Sequence, residues 1–435
     1  MFNQVTLKDI TTKIGSGSTP RGGKESYKSS GISLIRSLNV YDFEFNYSDL
    51  AFIDEKQAKK LDGVKIEEND ILLNITGASV GRCTMVPSHL IPARVNQHVS
   101  IIRVNKELAD AKFILYCINS SVYKNQLLSI SDNGATREAL TKEDIEKFQL
   151  LLPTLQTQQR IATILCAYDE LIEINNQRIK LLEVTAQQLY KEWFVRMRFP
   201  NYKKAKFEKG IPKLWKLKPI GDVIDYHIGG GWGNDDETKE FSVSGYVIRG
   251  TDIPKVRRGD ANHDVYRFHK ASNIKSRELI EGDIVFETAG GSEGQPLGRT
   301  CFITQEILDH YGDKVMAASF CKQIRTTSIP SLFLYYYLNY LYDTGMIESF
   351  QVQSTGISNY QFEPFLKFQQ IMLPEADLMQ EFHDKVMPMQ KQIAILGQQN
   401  AQLRQIRDRL LPRLISGKLQ VKENKNKKTE TVSIR

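Results

Sequence analysis

Few of the features that announce chemistry or a special environment are present in this sequence. It has five cysteines, Cys83, Cys117, Cys166, Cys301 and Cys321, and none forms a Cys-x-x-Cys pair. An odd, scattered set suggests neither a disulfide framework nor a zinc site. The seven histidines show no metal-ligand spacing. Apolar runs such as Ile71-Leu72-Leu73 are far too short to cross a bilayer. The residues after Met1 bring acid and base, Lys8 and Asp9, rather than an apolar signal core. A cytoplasmic protein without membrane association is therefore expected.

Catalytic signatures are also missing. There is no G-x-x-x-x-G-K-[ST] loop for a nucleotide phosphate and no H-E-x-x-H for zinc. Gly77-Ala78-Ser79-Val80-Gly81 places a serine between glycines but lacks the strand-to-helix spacing of a nucleophile elbow. Neither an Asn-Pro-Pro-Tyr-like tetrad nor a glycine-rich S-adenosylmethionine motif is visible. Carboxylate pairs such as Glu67-Glu68 and Asp235-Asp236 sit in charged, loop-like surroundings and read as solvated surface. The expectation is a non-catalytic chain; the alternative is a DNA nuclease or modifying enzyme with an unrecognised site.

What is present is length, mild basicity and repetition. A chain of 435 residues exceeds one ordinary core. Its 41% hydrophobic and 25% charged content is that of a globular protein. A net charge of +7 permits a polyanionic partner. Ser30-Gly31-Ile32-Ser33-Leu34-Ile35-Arg36 returns as Ser244-Gly245-Tyr246-Val247-Ile248-Arg249, and Asn69 to Gly77 returns as Gly282 to Gly290. Lys147-Phe148-Gln149 returns as Lys367-Phe368-Gln369. Arg36 to Arg249 and Gly77 to Gly290 are both 213 residues apart; Arg82 to Arg299 is 217, Leu115 to Leu334 is 219, and Pro153 to Pro374 is 221. A monotonic drift in preserved order is what small loop insertions produce, so the chain is an internal duplication.

Each copy begins with mixed signals, over 1–152 and 200–373. Ile71 to Ile75 and Ile284 to Phe286 read as buried strands. Gly15 to Pro20 and Gly229 to Gly233 read as loops. Helical stretches are expected near 111–127 and 330–347. The composition is α+β.

The rest of each copy reads as helix. From Thr154 to Val195 there is neither proline nor glycine. Ile161, Leu165, Tyr168, Ile172, Ile179, Leu182, Ala186, Leu189 and Trp193 step by four and three, with Asn175 in the polar slot. The later copy runs Phe382, Val386, Met389, Ile393, Leu396, Asn400 and Leu403. These are coiled-coil seams of roughly 38 residues, or about 57 Å of helix. Paired antiparallel, with Asn175 against Asn400, they would form a rod between two readers; the other reading is two helices that each pack on their own domain. The expected plan is a first α+β domain over 1–152, a central helix over 153–199, a second α+β domain over 200–373, a distal helix over 374–418 and a basic disordered tail over 419–435.

Reading DNA needs donors, acceptors and cations on protruding loops. The first copy offers Ser18, Thr19, Arg21, Arg36, Asn39, Thr76, Ser79, Arg82, Arg94, Asn96, Gln97, His98, Asn133, Thr136 and Arg137. The second offers Arg249, Thr251, Asp252, Ser292, Gln295, Arg299, Ser354, Thr355, Ser358 and Asn359. The loops differ between copies while the framework matches, as two readers of different sequences would.

The chain resembles the specificity subunit of type I restriction–modification systems. The resemblance is carried by Leu152-Pro153 with Gln158-Gln159-Arg160-Ile161-Ala162, by Leu189-Tyr190-Lys191-Glu192-Trp193-Phe194, and by Gly210-Ile211-Pro212-Lys213-Leu214-Trp215. Leu373-Pro374 with Gln380, and the ending Leu411-Pro412-Arg413-Leu414-Ile415-Ser416-Gly417-Lys418-Leu419, complete it. It implies two target-recognition domains, each reading half of a split, asymmetric double-stranded DNA site, and two helices that set the unread spacer. It also implies two docked methyltransferase subunits, restriction and translocase subunits for cleavage, and S-adenosylmethionine, ATP and Mg²⁺ held by those partners. In the second copy Gln380-Glu381-Phe382-His383 stands where the first has Gln158-Gln159-Arg160-Ile161, a departure from equivalent docking surfaces.

Overall fold

The computed structural model describes residues 2–132, 139–290, 295–354 and 357–421, so the tail from 422 onward lies outside the described residues. The chain gathers into two units, Met1–Glu170 with Arg404–Arg435, and Leu171–Leu403. The division falls inside both long helices. The sequence plan set those helices apart as domains of their own; the structure gives each unit a share of both, because the helix ends are built into the globular cores.

In the first unit Ile71–Asn74 lies inside a four-stranded antiparallel sheet, between Val99–Val104 and Cys83–Met85, with Thr11–Ser16 at the far edge. The run shows no polar alternation because both of its faces are covered. Ile71 and Leu73 turn towards Phe113 and Tyr116 of the helix Ala111–Asn119. Leu72 turns the other way, towards Ile35 and Val95. Those two belong to a three-stranded sheet in which Ile32–Ile35 pairs antiparallel with Ala51–Ile53 and parallel with Ala93–Val95. Asn3–Thr6 closes the unit against Gln149–Leu152.

The second unit repeats this plan element by element. Ile284–Glu287 lies between Cys321–Arg325 and Thr300–Phe302, with Tyr226–Gly229 at the edge. Val243–Ile248 pairs antiparallel with Tyr266–His269 and parallel with Val315–Ala317. Lys216–Pro219 closes against Gln370–Leu373. Ile284 and Phe286 face the helix Ser331–Asp343 and Phe365, whereas Val285 faces Ile248 and Ala317. Each such fully buried side chain stabilises the fold by about 1.5–3 kcal/mol. Here Ala289–Gly290 joins Ile357–Tyr360 and Gln351–Ser354 in a small sheet, where the described residues of the first copy show the single antiparallel bridge between Thr76 and Ala139.

The two long helices span Leu155–Tyr190 and Ala376–Ile415. In the first unit Ile161 and Leu165 pack with Leu411, Leu414 and Ile415. In the second, Ile179 packs with Ile393 and Leu396, and Tyr190 and Trp193 pack on Phe382. Residue numbers rise along one helix as they fall along the other, so the pair is antiparallel. Ile172, Val386 and Asn400 are buried, and Leu182 and Leu403 are half-buried. Asn175 donates to Asn400 Oδ1 at 3.0 Å, and Asn400 donates to Asn176 Oδ1 at 3.0 Å. The central helix ends in a π-turn, Lys191–Val195, that pushes Trp193 and Phe194 into the core. Gly397 sits mid-helix for a packing reason: a Cβ there would lie 2.3 Å from the backbone of Gly259.

Candidate nucleic-acid interface

Two copies of one scaffold place equivalent loops on equivalent stems. The turn that follows Ile71–Asn74 carries Thr76, Gly77, Ser79 and Arg82, and it is closed by the Asn74 amide donating to Arg82 O at 2.9 Å. In the second copy the Glu287 amide donates to Arg299 O, also at 2.9 Å. Asn74 and Glu287 are therefore counterparts, as are Arg82 and Arg299. Their side chains diverge. Asn74 turns inward and donates to Ser37 O and Val40 O. Arg82 lies over the exposed Tyr41 ring at 4.6 Å and makes no side-chain hydrogen bond among the described residues. Glu287 is buried and clamps Arg299 with two hydrogen bonds, Nε to Oε2 at 2.8 Å and Nη2 to Oε1 at 2.5 Å. That carboxylate raises the Arg299 pKa above its ordinary value. Gln295 is half-buried beside the pair.

The first copy assembles a polar chain from three distant segments. Thr19 donates to Gln97 Oε1, Gln97 Nε2 lies 3.1 Å from His98 Nε2, and His98 Nδ1 lies 2.6 Å from Thr76 Oγ1. The amide nitrogen of Gln97 can only donate, so His98 accepts at Nε2 and carries its proton on Nδ1. Thr76 then accepts from His98, and its hydroxyl hydrogen has no acceptor among the described residues. Gln97 is exposed, and Thr19, Thr76 and His98 are half-buried. Ser18 and Arg21 are exposed on the neighbouring loop, and Ser79 is half-buried.

Three expected contacts are committed to the fold and leave the candidate set. Arg94 is 5% exposed; it donates to Ala58 O and Ala93 O and pairs with Asp62 at 2.6 Å. Asn39 is fully buried; it donates to Asn46 O and Ser48 O and accepts from the Arg36 amide. Asn96 is buried and accepts from the His98 amide. Arg36 is half-buried, donates to Asp49 O and lies over Tyr27. The counterpart of Asn39 is Asp252, which accepts from the Arg249 amide and from both ends of its guanidinium at 2.8 and 2.9 Å. Burial opposes the charge on Asp252, yet the Arg249 and Asn262 hydrogen bonds outweigh it and hold the pKa low.

Thr251 is exposed. Ser358 and Asn359 oppose Gly290 and Ala289 across the small sheet, so the structure brings them to the glycine loop. Ser354 lies on the neighbouring strand. Asn133, Thr136, Arg137, Ser292 and Thr355 lie outside the described residues.

Sequence reasoning missed two kinds of feature. Trp232 is exposed inside the glycine run, with Arg267 stacked 4.6 Å from its ring. Asp70 and Asp283 are fully buried and grip Arg103 and Arg325 with two hydrogen bonds each. The repeated Asp was visible in both copies, but its arginine partners lie 33 and 42 residues on, beyond any local signal.

Residues 2–184 match the family model described as the type I restriction modification DNA specificity domain. The type I restriction enzyme MjaIX specificity subunit of Methanocaldococcus jannaschii is 24% identical over 96% of this chain and 93% of its own length. The HindI specificity subunit of Haemophilus influenzae is 24% identical over 89% of this chain and 94% of its own. The crystal structure of a type I restriction–modification S subunit from M. genitalium superposes with a TM-score of 0.56 at 13% identity, covering 95% of this chain and 96% of that one. Matched by the domain model over residues 2–184, aligned end to end with such subunits at 24% identity and sharing the fold of one of them, the chain is similar to the DNA specificity subunits of type I restriction–modification systems.

Proposed function

We propose that this chain reads a two-part, asymmetric duplex DNA target, one recognition domain per half, and performs no chemistry itself. The observation that carries the proposal is the divergence of loop side chains on matched stems. Equivalent backbone turns present an arginine with no side-chain hydrogen bond among the described residues in one copy and an arginine held by a buried carboxylate in the other. Different donors at one place on a scaffold select different bases or shapes. Of the sequence candidates, Ser18, Thr19, Arg21, Arg36, Thr76, Ser79, Arg82, Gln97, Arg249, Thr251, Gln295, Arg299, Ser354, Ser358 and Asn359 remain proposed contacts.

The partners follow from the same reading. Two methyltransferase subunits dock on the helices, and restriction subunits join them. S-adenosylmethionine, ATP and Mg²⁺ belong to those partners. Support comes from Leu171, Ile174, Leu181 and Val184, which are exposed along one side of the central helix, away from its seam. Among the described residues no helix is long and apolar enough to cross a membrane; the proposed place of work is the cytoplasm, with the cell's DNA.

Mapping methylated adenines in a host that expresses the whole complex tests the proposal. A split, asymmetric motif is expected, and the purified chain with S-adenosylmethionine should transfer no methyl groups. Robust methylation or metal-dependent cleavage by the chain alone would falsify it. Adding one heptad to both helices should widen the spacer and leave both half-sites unchanged.

A further inference from the structure

The net charge of +7 is not spread along the chain. Between Arg196 and Lys218 stand nine cations and one acid, Glu208, so the remainder is close to neutral. Glu192 pairs with Arg196 and Arg198. The seven lysines from Lys203 to Lys218 are all exposed, and none is in an ion pair among the described residues.

The segment is a built surface. Phe207–Glu208 and Ile211–Pro212 form a short hairpin, closed by the Lys213 amide donating to Lys206 O at 2.8 Å. Phe199, Pro212 and Trp215 are buried beneath it, with the Phe199 and Trp215 rings 5.4 Å apart and Phe194 behind them. An open pocket of about 370 Å³ beside it is lined by Arg196, Arg198, Tyr202, Lys203 and Phe207. The tip is Lys209-Gly210, at φ 50° and 82°. A two-residue hairpin turn with both φ positive favours Asn or Asp before Gly. A lysine there is strained, and such strain persists where the surroundings enforce it.

We propose that this hairpin grips the phosphate backbone of duplex DNA without regard to sequence, separately from the base-reading loops. The proposal rests on the DNA-reading role above. Duplex DNA carries one charge per roughly 1.7 Å, which suits closely set cations on a fixed scaffold. Lysines act as point charges that hold phosphates, whereas bidentate base reading calls for arginine. Because the lysines stand on or beside folded backbone, the turn Tyr202–Lys204, the hairpin and the strand Lys216–Pro219, little backbone ordering opposes binding.

The test uses the full chain and a labelled random-sequence duplex, with binding followed by anisotropy across a salt series. Changing Lys203, Lys204, Lys206 and Lys209 together to Gln should flatten the slope of log K against log salt by about 3.6, at about 0.9 per phosphate contact. The loss should be equal on any duplex. Lys209→Asn alone relieves the turn while removing one cation. It should flatten the slope by about 1 yet raise the unfolding midpoint, which separates binding from folding. Unchanged slopes in folded variants, or a loss confined to anionic phospholipid vesicles, would overturn the hairpin's role. A native chain that binds no duplex would overturn the DNA-reading role itself, and this proposal with it.

Discussion

The two copies keep one polar device and discard another. Asp70–Arg103 and Asp283–Arg325 are the same buried clamp at the same place in the sheet. Asn74–Arg82 and Glu287–Arg299 occupy one turn, and only the second is a clamp. The conserved pair sits inside the framework, where an unpaired carboxylate is costly. The changed position, Asn74 or Glu287, is also buried, but its arginine stands on the adjoining turn, so a new partner there alters what the loop offers and leaves the strand order intact.

Several changes would break or sharpen this comparison. The largest effect is expected at the shared clamp. Breaking such a buried pair costs about 3–5 kcal/mol. Asp283→Asn should cost more than Asp70→Asn, because Arg103 would keep Glu67 as a partner at 2.5 Å. Urea unfolding of each variant measures this, and the reverse order would refute the equivalence of the two clamps.

Next comes Gly397→Ala. Helix propensity alone favours alanine by about 1 kcal/mol. The approach to Gly259 should reverse the sign, with a net loss of about 1–3 kcal/mol from overpacking. A stabilised variant would remove the close contact from the account.

A smaller effect, read in binding, is expected from Glu287→Asn, which copies the first domain's choice into the second. Arg299 should be released and the salt slope of duplex binding steepened by about 0.9, one phosphate contact. The mapped second half-site should change while the first stays. Two unchanged half-sites and an unchanged slope would mean that the divergence has no bearing on recognition.

The smallest effect concerns pH. Burial lowers the pKa of His269, His310 and His383 below the usual 6.5, and all three lie in Leu171–Leu403. The unfolded chain then binds protons more readily than the folded one, so stability is complete above about pH 6.5 and falls as pH drops below it. Hydrogen exchange between pH 7 and 5 should show this loss in that unit; replacing the three histidines with Gln should abolish it.

Much of the framework was legible because it depends on periodicity. The drift from 213 to 221 residues revealed two copies, and alternating four and three steps marked the seams. The sorting of loop arginines was not legible. Arg94, Arg82 and Arg299 look alike as letters, yet one is buried, one rests on Tyr41 and one is clamped by Glu287. Lys209 likewise reads as a solvated charge until its φ of 50° is known.

By itself the sequence determined the duplication, the α+β composition, the helical seams and the resemblance to specificity subunits, since each is written in local pattern and order. Tertiary structure alone decided that the division between units cuts both helices, that one sheet in each copy contains a parallel pair, and which polar side chains face outward. Those outcomes depend on contacts between residues far apart in the chain. Such contacts form where burial, hydrogen bonding and charge pairing are satisfied together, and no single window of sequence contains both partners.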